Sequence, residues 1–169
     1  NPTAPDQSIF LWQRIAGAFI PALVWLISRR AGARGTIALA LGVAAAVDPT
    51  LARVAASESY FATCGFLLFA AAAVLAAASP RARPTSPRFV FAVLAAGLLV
   101  AQAARVHPIA WAPAALVPLV AFAQRGSLRR RIRLALVAGA GIALVVIAVT
   151  GPVLLEVLRG HLGEEWMPR

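Results

Sequence analysis

The sequence predicts an all-α protein, a polytopic membrane helix bundle of about six transmembrane helices with both ends on the outer side. Three observations predict it. Hydrophobic residues make up 61% of the 169 and charged residues 13%, well below the roughly 25% charged share of soluble chains. Runs such as Thr36 to Val47 and Phe61 to Ala78 hold no charge at all, which a water-facing surface hardly tolerates. All 16 basic residues are arginine, and most lie in short clusters between apolar runs. Although the net charge is +10, that distribution is a topology signal and not a nucleic-acid footprint. One transmembrane domain over 1–169 follows, with the lipid bilayer as its surroundings.

Each apolar segment is measured against the roughly 20 helical residues that cross about 30 Å of hydrocarbon. The first, 9–28, begins amphipathically with Gln13 and Arg14, where a long Arg can snorkel, and contains Pro21, a potential kink. The second, 36–47, is short; Leu51 to Ala56 either extends it or forms a helix at the membrane surface. The third covers 60–79, the fourth 89–104, the fifth 109–123 and the sixth 134–155. Small residues, such as Ala38, Gly42 and Ala46 at four-residue spacing and Gly139 and Gly141 in the sixth span, read as helix contacts. The single Cys64 lies in an apolar run and reads as a packing residue. Neither a metal site nor a cofactor-binding motif can be drawn.

Short cytoplasmic loops retain arginine, so alternating spans give a test of orientation. One set of loops holds Arg29, Arg30, Arg34, Arg81, Arg83, Arg88, Arg125, Arg129, Arg130, Arg131 and Arg133. The other side holds Arg14, Arg53, Arg105, Arg159 and Arg169 with all the acids, Asp6, Asp48, Glu58, Glu156, Glu164 and Glu165. The first set is therefore placed inside, where it also meets anionic headgroups, and both ends outside, in the cell (inner) membrane. The first residue is Asn, with no leader pattern, so residue 1 is expected to be an internal position of a longer parent.

Chemistry then rests with three polar islands on the outer face: Asp48, Arg53, Glu58 and Tyr60; Arg105 and His107; and Arg159, His161, Glu164 and Glu165. Ionisable groups at hydrocarbon depth are costly unless paired or wet, which makes such clusters functional candidates. The plainer reading is a set of solvated or paired interfacial loops, with His107 at a tight turn before Pro108.

The stretch from Arg14 to Ala78, with "RIAGAF", "SRRAGARG" and "DPTLARVAASESYFA" in that order, resembles the transmembrane core of the GT-C glycosyltransferases, bacterial relatives of dolichyl-phosphate-mannose protein mannosyltransferases. A weaker likeness continues through "RFVFAVLAAGLLVAQAARVHPIAWAPAALVPLVAFAQRGSLRRR". The resemblance implies transfer of a sugar from a polyprenyl-phosphate donor on the outer face. It makes Arg53, Arg105 and His107 the donor-phosphate candidates, and Asp48, Glu58 and Tyr60 acidic or positioning groups. That chemistry is sound, because guanidinium pairs with phosphate and a carboxylate can accept a hydroxyl proton. The family's catalytic Asp belongs to an outer loop that this chain begins after, and the "NPTAPDQ" setting of Asp6 does not reproduce the motif, so no catalytic residue is assigned. The alternative is a noncatalytic accessory subunit of a larger respiratory, photosynthetic or transport complex, held to other membrane subunits by its small-residue helices. A transporter is disfavoured, since apart from Gln102 the span centres carry no polar charge-handling group.

Overall fold

The computed structural model describes residues 5–56, 60–79, 82–107 and 110–158. Among them the chain is helical throughout, as α1 (Pro5–Arg30), α2 (Gly35–Ala46), α3 (Pro49–Ala55), α4 (Phe61–Ala78), α5 (Pro87–Val106), α6 (Trp111–Ala114), α7 (Leu119–Phe122) and α8 (Leu128–Leu158). Four of these, α1, α4, α5 and α8, are long and apolar enough to cross a membrane, and α2 with α3 makes a fifth if the bent pair is counted as one. The chain is a multi-pass helical protein by that measure.

The helix limits follow from local chemistry. Pro49 and Pro87 each stand at the first position of a helix, where the missing N–H costs nothing and the fixed φ suits helix entry. Pro21 sits inside α1 and removes the donor that would have bonded the Gly17 carbonyl. The turns at the arginine-rich end use Gly32 (φ 99°) and Gly126 (φ 138°), a backbone region that side-chain-bearing residues avoid. Arg29 and Arg30 close α1, where positive charge complements the helix dipole.

One expectation about continuity is corrected, and the bounds of two other segments are refined. The fifth segment, expected as one helix over 109–123, is broken into α6 and α7 with a turn between them. Pro113 and Pro118 lack the N–H that a continuous helix requires, and the ladder gives way to tighter bonds from Leu116 N–H to Pro113 O (3.0 Å) and from Val117 N–H to Ala114 O (3.1 Å). The second segment, 36–47, is met by α2, which ends at Ala46 with Val47 as its C-cap. Its continuation is α3, bent from α2 by 53°, because the residue before a proline is kept out of the α region and Asp48 is accordingly extended. The sixth helix is also longer than 134–155, taking Arg129 to Arg133 into its first turns.

Contacts give the direction of each pass. Gln13 of α1 meets Thr63 of α4, and farther along Ile20 lies against Gly65, so α1 and α4 run side by side in the same sense. Likewise Gly141 of α8 receives Val93 of α5, and Gly97 of α5 receives Val145 of α8. A Cβ on Gly97 would stand 2.7 Å from the Val145 Cβ, too close for any pair of carbons. Each parallel pair requires the chain to return between its members. The α2–α3 segment makes the first return, with Gly42 against Trp25 and Pro21, then Ala55 against Gly17. The α6–α7 segment makes the second. The main core lies among α4, α5, α7 and α8, around Leu75, Phe89, Val100 and Leu134.

At one end of the bundle the arginine-rich turns are tied to one another. The Arg130 guanidinium donates to Ser79 O (3.1 Å), Ala82 O (3.0 Å) and Arg125 O (2.9 Å). Arg125 reaches Gly32 O at 3.2 Å, and Arg131 donates to Phe122 O at 2.6 Å while lying 4.5 Å over the Phe122 ring. These carbonyls end helices or form turns and lack helical partners, so the arginines satisfy backbone as well as marking topology. A buried hydroxyl is satisfied within its own helix, Thr150 donating to Val146 O at 2.7 Å.

Candidate functional site at the end opposite the arginine-rich turns

The sequence candidates gather at the other end of the bundle, each for a local reason. Asp48 is the N-cap of α3, its Oδ1 accepting from Thr50 N–H at 2.7 Å. A half-buried carboxylate at a helix break therefore has a structural partner. Arg53 lies in the last turn of α3 and Arg105 in the last turn of α5, both exposed. Tyr60 occupies the N-cap position of α4 and is 45% exposed. Among the described residues, Asp48 forms no ion pair with Arg53 or Arg105. Glu58, Arg159, His161, Glu164 and Glu165 lie outside the described residues.

His107 is the best placed of the set. It follows α5 in extended conformation, and its ring packs on Phe61 with centroids 4.8 Å apart and planes at 47°. Phe61 is the first residue of α4, so the contact joins the end of α5 to the start of α4. Just below, the Cys64 thiol faces Ala103 O at 3.6 Å. This seam brings His107 and Tyr60 to one place.

From Phe61 an apolar groove of about 420 Å³ follows α4, walled by Cys64, Leu68, Phe69 and Ala72 on that helix, with Pro113 and Val117 across it and Ile27 near its far end. Phe61 to Ala72 is eleven helical steps, or about 16 Å of helix rise. The broken α6–α7 segment contributes the opposite wall through Pro113, Leu116, Val117 and Val120. Volumes of roughly 300–1,000 Å³ with mostly apolar walls are usual for ligand sites. The groove is suited to a hydrocarbon chain, and His107 packs on Phe61 at one end of it.

Reasoning from sequence missed two contributors. Gln13 is wholly buried and its Oε1 accepts from both Thr63 N–H (3.2 Å) and the Thr63 hydroxyl (3.3 Å). It thus caps α4 from a different helix. The available signal was a carboxamide within an apolar run, but its partner is 50 residues away. Phe61 was counted as span and not as the hinge between His107 and the groove. Comparison of the chain with protein-family models, curated proteins and solved structures finds no match.

Proposed function

We propose that the chain is a six-crossing protein of the bacterial inner membrane, with its arginine-rich turns cytoplasmic and the His107 end outside, and that it binds a polyprenyl-phosphate sugar donor as part of a GT-C-like glycosyltransferase. The count of six adds the α2–α3 and α6–α7 returns to the four long helices. Eleven of the arginines fall in the three turns assigned to the cytoplasm, in keeping with retention of basic loops. The observation that carries the binding reading is the groove from Phe61 to Ile27, apolar along its length and flanked at its mouth by His107. An isoprenoid chain fits such a wall, and Arg105 and Arg53 supply positive charge at the same end. Asp48 is kept out of the chemistry, since its carboxylate is engaged at the start of α3.

The test is photocrosslinking of the purified full chain with a polyprenyl phosphate bearing a photoreactive isoprene unit. Adducts are expected on 61–72 and 113–120, and Leu68→Trp should abolish them by filling the groove. Adducts spread over the outward faces of α2 and α8 at the same yield would mean ordinary lipid contact and would sink the reading. Stoichiometric copurification of other membrane subunits, with no adduct in the groove, would favour the accessory-subunit alternative.

A further inference from the structure

The first turn of α4 is a cluster of hydrogen-bond donors with few acceptors. The first intrahelical bond of the helix runs from Cys64 N–H to Tyr60 O at 3.0 Å, and Thr63 N–H is taken by Gln13. The N–H groups of Phe61 and Ala62 find no acceptor among the described residues, no side chain caps the helix at Tyr60, and its first turn contains no acid. A helix start of this kind carries partial positive charge and outward-pointing N–H groups, the features that bind anions.

An independent observation points to the same spot. Gln13 is 0% exposed, and its Nε2 has no hydrogen-bond partner. The orientation of this carboxamide is fixed by its neighbour, because Thr63 N–H can only donate and therefore faces the oxygen. The amide nitrogen, on the same carbon, is thereby held beside the first turn of α4. Burial of an unpaired N–H₂ is unfavourable, and a native protein seldom leaves one without use. The next residue, Arg14, is exposed and lines an open cleft with Phe10, Leu11 and Ala56. Tyr60 and Phe61 are 45% and 37% exposed at this helix end, with Ala62 and Gln13 buried beneath them.

We infer that the start of α4 is a phosphate site: the Phe61 and Ala62 N–H groups and the Gln13 Nε2 hold the phosphate of a lipid whose chain enters the groove at Phe61 and Cys64. The inference rests on the lipid-phosphate part of the proposed function, and it adds the seat of the anion. Hydrocarbon groove and donor cluster share Phe61, so one amphiphile reaches both. His107 stacks on the same ring and borders the headgroup. Selectivity for phosphate over an alcohol then comes from neutral donors and a helix end, with Arg14 adding long-range attraction.

The deciding substitution is Gln13→Glu, which retains an oxygen for Thr63 while replacing the donor by a negative charge. Binding of a polyprenyl phosphate, the matching polyprenol and inorganic phosphate to the full chain in detergent would be measured by native mass spectrometry and titration. Wild type should prefer the phosphate lipid to the polyprenol by roughly tenfold or more, and Gln13→Glu should erase that preference, leaving polyprenol binding unchanged. Its melting temperature is measured alongside, because a carboxylate at a wholly buried position costs stability even at a helix start. In labelled wild type, the polyprenyl phosphate should also shift the Gln13 side-chain amide resonances, a readout that needs no variant. Unchanged phosphate preference in Gln13→Glu, with no amide shift, would overturn the site while leaving the groove reading intact. Gln13-dependent binding of phosphatidic acid but not of polyprenyl phosphate would uphold the site and remove the sugar-donor reading. Inorganic phosphate competing as well as the lipid would overturn the lipid assignment.

Discussion

Asp48 and Gln13 each place a side-chain oxygen on the first turn of a helix, one from the preceding residue and the other from a neighbouring helix. The first was legible in the sequence, because an acid followed by proline is a helix-start signature once a break is suspected. The second was not, since no local pattern says which of several buried donors a glutamine will meet. Substitution separates cap from catalyst at Asp48. Asp48→Asn should preserve stability and Asp48→Ala should cost about 1 kcal/mol, the usual loss for an N-cap, as measured by thermal unfolding in detergent. If the binding of polyprenyl phosphate proposed above is lost in Asp48→Asn while the fold persists, the carboxylate acts on the ligand and is not only a cap. At the opposite end, Arg130→Ala removes donors from three backbone carbonyls and should lower stability by roughly 1.5–3 kcal/mol. Arg129→Ala, an exposed neighbour with the same charge, should change it by less than about 0.5 kcal/mol. Equal effects of the two would show that charge alone matters there. Composition revealed the arginines but not this division among them, because it registers charge without partners.

At the scale of elements, apolarity found all the segments and misjudged the continuity of one. The 109–123 stretch is as apolar as its neighbours, yet hydropathy counts side chains and is blind to the missing N–H of Pro113 and Pro118. The prolines were visible in the sequence; their effect needed a count of backbone donors. The contact between α5 and α8 was legible as small residues and not as a register. Gly97 and Gly141 are each filled by a valine of the other helix, so Gly97→Val should overfill the seam and cost about 1–3 kcal/mol. Gly35→Ala, on α2 with its nearest side-chain atom at 3.7 Å, should be tolerated. Unfolding free energies from a reversible denaturation series would compare the pair, and a tolerated Gly97→Val would show that the two helices do not mesh as described.

At the scale of the whole molecule, the alternation of arginine clusters with apolar runs made the helical membrane class readable, while the packing order of the helices was not, because similar Ala- and Leu-rich faces could pair in many ways. Sidedness is open to measurement with single cysteines on a Cys64→Ala background. Cysteines at Ala33 and Ser127 should be shielded from a membrane-impermeant thiol reagent in intact cells, and those at Thr50 and Tyr60 should react; any one of the four with the opposite behaviour would break the proposed six crossings. The two parallel pairs also bear on how the protein is made. A helix leaving the ribosome cannot settle on a parallel partner until the intervening chain has travelled back, so α4 must wait for α2–α3 and α8 for α6–α7. Neither return is a single robust helix, and both contain proline. The slow events of folding therefore fall on the two least regular segments, and the groove beside α4 takes shape late, once the second return has docked.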